Sequence, residues 1–175
     1  MYKLSIKCLL DLFDKMIKPI LLYGCEVWGS SNNDILEKIH LKYCKILLNL
    51  KTSTPSYMVY GELRRYPIYI YIKIRTVCYW ANENHNMQFS CICFVKQIFN
   101  ECGFSNIWET EHFNNIEYLK CVIKQRLEDQ FLQNWNSLVQ NSPKAVNYKT
   151  FKAEFKYERI LKYFRNKRCN FALQI

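Results

Sequence analysis

An all-α protein is what the sequence predicts, an irregular bundle of about six or seven helices that can divide into two subdomains. Three observations lead there. Apolar residues recur every three or four positions through most of the chain. The 175 residues include only four Gly and four Pro, too few tight-turn formers for a sandwich of many short strands. One run alternates like a strand, but no second run of similar quality offers it a partner, and an isolated strand cannot satisfy its backbone.

The elements follow in order. Leu4 to about Tyr23 reads as a helix carrying Leu9, Leu10, Phe13, Met16, Ile17 and Ile20. Pro19 lies inside it and is expected to kink or restart it, because proline lacks the backbone donor and clashes with the preceding turn. Gly24 is its stop. Asn33 or Asp34 caps a second helix to about Leu50, with Leu36, Ile39, Tyr43, Ile46 or Leu47, and Leu50 as its apolar repeat. Ser53 and Thr54 precede Pro55, which opens a short helix to Gly61. Ile68, Ile70, Ile72 and Ile74 alternate with Tyr69, Tyr71, Lys73 and Arg75, yet Ile70, Ile74, Val77 and Ala81 also share a helical face. Pro67 suits a first helical turn, so this segment is assigned as helix.

Residues 82–86 are polar and read as a turn before a helix from about Met87 to Asn100. Residues 102–115 contain Gly103 and little periodicity, which predicts a loop with one short turn near Trp108. A long helix from about Ile116 to Val139 should bury Leu119, Ile123, Leu127, Phe131, Trp135 and Leu138, and Asn141, Ser142 and Pro143 end it. The last helix runs from about Asn147 to Phe164, burying Tyr148, Phe151, Phe155 and Leu161. The composition shift at residues 100–115 predicts the boundary between subdomains, giving regions 1–100 and 101–175. There is no internal repeat or low-complexity tract.

Half of the residues are hydrophobic, 16% are aromatic and 23% are charged, which supplies a core and argues against disorder along the whole length. Nine cysteines sit partly inside apolar helical stretches (Cys8, Cys44, Cys78, Cys121), where a reduced thiol packs as a small hydrophobe. No secretory signal is evident, since Lys7, Asp11, Asp14 and Lys15 interrupt the apolar run from Ile6 to Ile17. No stretch reaches the roughly 18 uncharged apolar residues of a membrane span. An intracellular location, cytoplasmic or nuclear, with reduced thiols and no membrane is the expectation.

Catalysis by two metal ions requires carboxylates held close together. The only aspartates are Asp11, Asp14, Asp34 and Asp129, none adjacent to another, so no catalytic residue and no enzyme is expected. Cys91, Cys93 and Cys102, with His85 and His112 nearby, lack the paired spacing of a structural zinc site, and a Cys-x-Cys pair in an apolar helix reads as packing. No cofactor or metal is predicted, and four glycines build no phosphate-binding loop.

The charge balance, 25 Lys and Arg against 15 Asp and Glu, gives +10. Such an excess fits either a solvated cationic surface or a polyanionic partner, with nucleic acid ahead of an acidic membrane. Lys38, Lys42 and Lys45 recur at i, i+4, i+7 on the second helix. Lys149, Lys152, Lys156 and Arg159 recur at i, i+3, i+7, i+10 on the last, as one expected exposed row that can track a phosphate backbone. Lys144, Lys162, Arg165, Lys167 and Arg168 extend that charge, and Glu154 or Glu158 could instead pair with it. The tyrosines from Tyr66 to Tyr71 beside Arg64 and Arg65 could stack on bases, but core and interface positions suit them better.

Three stretches resemble one family. The first runs from Leu12 through Pro19-Ile20-Leu21-Leu22-Tyr23-Gly24-Cys25-Glu26-Val27-Trp28 to Gly29. The second runs from Thr54-Pro55 through Tyr60-Gly61-Glu62-Leu63 and Tyr66-Pro67-Ile68 to Tyr79-Trp80. The third is Trp135, then Tyr148-Lys149-Thr150-Phe151-Lys152 to Phe155-Lys156-Tyr157-Glu158. In this order they are similar to the region downstream of the polymerase palm in non-LTR (LINE-like) retrotransposon reverse transcriptases, over nearly the whole chain.

The resemblance implies a helical thumb over 1–100, which would grip a template–primer duplex, and a helical connector over 101–175. It places the palm, with its paired aspartates, before Met1 and a zinc knuckle after Ile175, so a fragment unable to reverse-transcribe alone is expected. Pro19, Tyr23, Gly24, Glu26 and Trp28 form its structural corner, with Trp28 holding it by packing and Glu26 by a buried ionic or capping contact. Nucleic acid (RNA, DNA or hybrid) is the expected partner. Self-association through an exposed aromatic surface, or a transposon remnant without function, are the alternatives.

Overall fold

The computed structural model describes residues 4–29, 33–82, 89–110, 115–152 and 155. All regular structure among them is helical: α1 (Ile6–Leu12), a π-helical turn (Phe13–Ile17), α2 (Lys18–Leu21), α3 (Cys25–Trp28), α4 (Asn33–Leu47), α5 (Ser56–Leu63), α6 (Ile68–Asn82), α7 (Phe89–Cys102), α8 (Ser105–Thr110), α9 (Ile116–Asn141), a 3₁₀ turn (Pro143–Ala145) and α10 (Val146–Phe151). The all-α expectation holds, in more pieces than six or seven. The first helix breaks into three, and residues 105–110 add a helix where a loop with one turn was expected.

The chain forms two compact units that interleave in sequence. The first comprises 1–38 and 68–127, and the second 39–67 and 128–175. The expected boundary near residue 100 is therefore corrected: α7 and α8 pack with α6 inside the first unit, so no compact body ends there.

In the first unit, Ser5 caps α1 by accepting from Cys8 N–H at 3.2 Å. The π turn precedes Pro19, and Lys18 N–H reaches back to the Phe13 carbonyl, an i to i−5 bond. Proline cannot donate to the carbonyl four residues back and its ring crowds that oxygen, so a wider turn carries the helix past it. Beyond the π turn α2 starts at Lys18 with Pro19 in its first turn, the restart expected of that proline.

Central to this unit is α6, which packs against α3 and α7. Ile68, Ile70, Ile72 and Ile74 are all buried, as are Val77, Trp80 and Ala81. Residues two apart on a helix point to nearly opposite sides, so this strand-like alternation belongs to a helix enclosed on more than one side. The Glu37 carboxylate accepts from the Ile68 N–H at 2.8 Å, satisfying one of the four donors that a helix start leaves open. Trp80 stacks on Trp108 at 5.5 Å between ring centroids and meets Phe99 edge-on at 5.3 Å.

In the second unit, α5 starts one residue later than expected, with Pro55 as its extended N-cap, and ends on Arg64 in the left-handed region at φ 49°. Trp135 donates from Nε1 to the Tyr57 carbonyl at 2.8 Å, and Tyr57 Oη bonds Ser142 Oγ at 2.9 Å. Phe131 meets Tyr60, Tyr66 and Phe155 edge-on. The buried row of α4 here is His40 and Cys44, whereas Ile39 and Ile46 from the expected repeat are exposed. His40 packs 5.6 Å from the Tyr60 ring. On α9, Leu119, Ile123 and Leu127 are buried in the first unit, Phe131 and Trp135 in the second; Val139 takes the place expected of Leu138, which is exposed. The last helix stops at Phe151; an extension to Phe164 and the burial of Phe151 and Leu161 lie outside the described residues.

Candidate nucleic-acid interface

The motif from Pro19 to Gly29 builds one corner of the first unit. Gly24 sits at φ 66° and φ above zero is costly for other residues, so the chain can reverse between α2 and α3. Trp28 Nε1 donates to the Tyr23 carbonyl at 3.0 Å across that reversal. A Cβ on Gly29 would stand 2.4 Å from Ile72 Cγ2, so the motif's last glycine lets α3 close on α6. Glu26 makes the ionic contact, 2.7 Å from Arg75 Nη2, and Arg75 Nη1 donates to the Leu22 carbonyl at 3.1 Å. Trp28, expected to hold the corner by packing, also makes a hydrogen bond across it. Pro19 and Tyr23 are themselves exposed. Lys18 Nζ lies 3.2 Å above the centre of the Tyr71 ring, a cation–π contact that places one tyrosine of the 66–71 run in packing.

The basic residues of α4 and of the last helix are placed differently. Lys38 and Lys42 are exposed on α4; Lys45 is partly buried and donates to the Thr52 carbonyl at 2.6 Å. On the last helix the single exposed row is corrected. Lys149 donates to the Gln140 carbonyl, and Lys152 is 4% exposed with Nζ 4.0 Å from Glu62 Oε1. The helix has ended by Lys152, so i, i+3 spacing no longer fixes its direction, and it turns inward onto α5. Lys156 and Arg159 lie outside the described residues, as do Lys162, Arg165, Lys167 and Arg168.

This inward lysine completes a buried polar cluster that the sequence reading missed. Burial raises the Glu62 carboxyl above its ordinary range, with Lys152 and Tyr148 opposing that shift. Burial lowers Lys152, and Glu62 opposes it. Tyr148 Oη also reaches the Met58 carbonyl at 3.4 Å and stands 2.6 Å from where a Cβ on Gly61 would lie. Glu62 and Lys152 are 90 positions apart in the sequence, so no local pattern signals them.

Charge is divided unequally between the units. Among the described residues, the first holds ten Lys and Arg against eight Asp and Glu, and the second holds eight against three. Of those three acids Glu62 lies against Lys152. Lys42, Lys51, Arg64 and Lys144 are exposed in the second unit. Beyond residue 152 the sequence adds six more Lys and Arg against Glu154 and Glu158.

Asp11 is exposed and Asp14 lies 3.8 Å from Lys18. Among the described residues no group of three His, Cys, Asp or Glu could hold a metal ion. Cys91 is buried and donates to the Val27 carbonyl at 3.1 Å, Cys102 is buried, and Cys93 is exposed; His85 and His112 lie outside the described residues. No helix among the described residues is long and apolar enough to cross a membrane. No protein-family model, curated protein or solved structure matches the chain.

Proposed function

We propose that this chain is a non-catalytic helical module of the thumb and connector type of non-LTR retrotransposon reverse transcriptases, and that it binds nucleic acid through its second unit. The observation that carries this reading is the unequal charge: eight basic residues against three acidic ones in the second unit, near balance in the first. Exposed lysines and arginines neutralise phosphates and release counterions, which gives binding that tolerates sequence and weakens with salt. The ordered motifs from Leu12 to Glu158 supply the family, and the lack of paired aspartates supplies the non-catalytic role.

Template–primer duplex, RNA–DNA hybrid or RNA is the expected ligand. Filter binding of each at rising salt tests the reading. Retention at low salt that falls steeply as salt rises is the expected result, and no retention at low salt overturns it.

A further inference from the structure

The N-terminal helical run carries apolar residues on two sides, and among the described residues one side is buried and the other exposed. Leu10, Phe13, Leu22 and Cys25 are buried. Leu12, Met16 and Ile20, four residues apart along α1, the π turn and α2, face out at 48%, 60% and 76% exposure, and Tyr23 and Val27, past the end of α2, are exposed as well. Single exposed hydrophobes are ordinary, but three in one row at helical spacing point to an interaction surface. This surface is mainly aliphatic, with Tyr23 its one aromatic.

We infer that this row pairs with its copy on a second chain, antiparallel, to form a two-fold symmetric dimer. The charges beside it fit that occupant. Asp11 and Lys15, both exposed, lie on the same flank of the row, each one position before Leu12 and Met16. In an antiparallel pair the same flank of each helix meets its counterpart. Setting Leu12 against the partner's Met16 therefore brings Asp11 beside the partner's Lys15, and the two-fold axis makes that pair twice.

A membrane surface fits less well. Helices that lie on membranes concentrate Lys and Arg on the polar face, whereas Lys7, Lys15 and Lys18 alternate here with Asp11 and Asp14.

Sedimentation equilibrium of the full chain, freed of nucleic acid by nuclease and high salt, tests the dimer over a concentration series. A reversible monomer–dimer equilibrium is expected, weakened more than about tenfold by Met16→Asp, which would bury a carboxylate at the seam. Asp11→Lys alone and Lys15→Asp alone should each weaken it, while the double swap should restore it, because the swapped charges again complement across the two-fold axis. Circular dichroism of each variant confirms that its helices are intact. A monomer at every concentration overturns the inference. So does self-association that ignores both Met16→Asp and the charge swap, or that appears only when anionic phosphatidylserine vesicles are added.

Discussion

Arg75 reaches from the middle of α6 to Glu26 on α3, 2.7 Å away, and with its other terminal nitrogen to the Leu22 carbonyl. One guanidinium thus fixes both ends of the reversal around Gly24, 49 positions earlier in the sequence than Arg75 at Glu26. Arg75 is 44% exposed as a side chain, so solvent screens the ion pair. Arg75→Met should cost about 1–2 kcal/mol, chiefly through the lost bonds to Glu26 and the carbonyl. Glu26→Gln should cost less, since the carbonyl contact survives. Urea unfolding of both single variants and the double variant measures this, with a coupling of about 1 kcal/mol or less expected.

Glu37 caps α6 from a half-buried position, and desolvation pushes its carboxyl up to about 7 from an ordinary value of 4.5. The folded state then holds a proton that the unfolded chain has released throughout that window. Its contribution is largest below 4.5 and is lost as pH rises to about 7. Glu37→Gln keeps an acceptor for the Ile68 N–H and removes the charge. The variant should match the parent at acidic pH and exceed it above neutrality by about 3 kcal/mol at most. Unfolding free energies measured through this window check the sign.

Gly61 lies within α5, where alanine would ordinarily add about 1 kcal/mol of helix stability. Here a Cβ would stand 2.6 Å from Tyr148 Oη and 2.9 Å from the Trp135 ring. Overpacking against the fixed indole should win, making Gly61→Ala destabilising by about 1–3 kcal/mol. Thermal or urea unfolding decides it, together with a shift in the tryptophan emission.

Lys152→Met leaves Glu62 buried without its cation, a loss of about 3–5 kcal/mol when the carboxylate is charged. The deficit should shrink as pH falls toward the ordinary carboxylate range, because the raised Glu62 carboxyl takes up a proton in the folded state first. Stability of the variant at neutral and at acidic pH separates this from simple loss of packing, which would not depend on pH.

The helices were legible because their apolar periods are local. Helix α6 was the hard case, and the lack of a partner strand resolved it, since enclosure on several sides erases a one-sided pattern. The buried row of α4 was not legible. Burial there falls on a histidine and a cysteine, which a hydrophobic count underweights, while Ile39 and Ile46 face out. The corner motif showed Gly24, Glu26 and Trp28 but not Arg75, whose role depends on α6 crossing α3. Lys152 misled for the same kind of reason. Extending helical spacing past Phe151 assigns it to an exposed row, whereas the helix ends and Glu62 draws it in. The interleaved units were also hidden, because a boundary read along the chain presumes that each body is one continuous stretch.

The most direct test of the account is the salt dependence of binding to an RNA–DNA hybrid, followed by fluorescence anisotropy in two charge-removed variants. One changes Lys42, Lys51 and Lys144 in the second unit to Gln, and the other changes Lys7, Lys96 and Lys124 in the first. The account predicts weaker binding and a slope of log affinity against log salt reduced by about 0.7–0.9 per lost phosphate contact for the second-unit variant. The first-unit variant should bind nearly as the parent does. Equal losses in the two variants, or no binding by the parent at low salt, would contradict it.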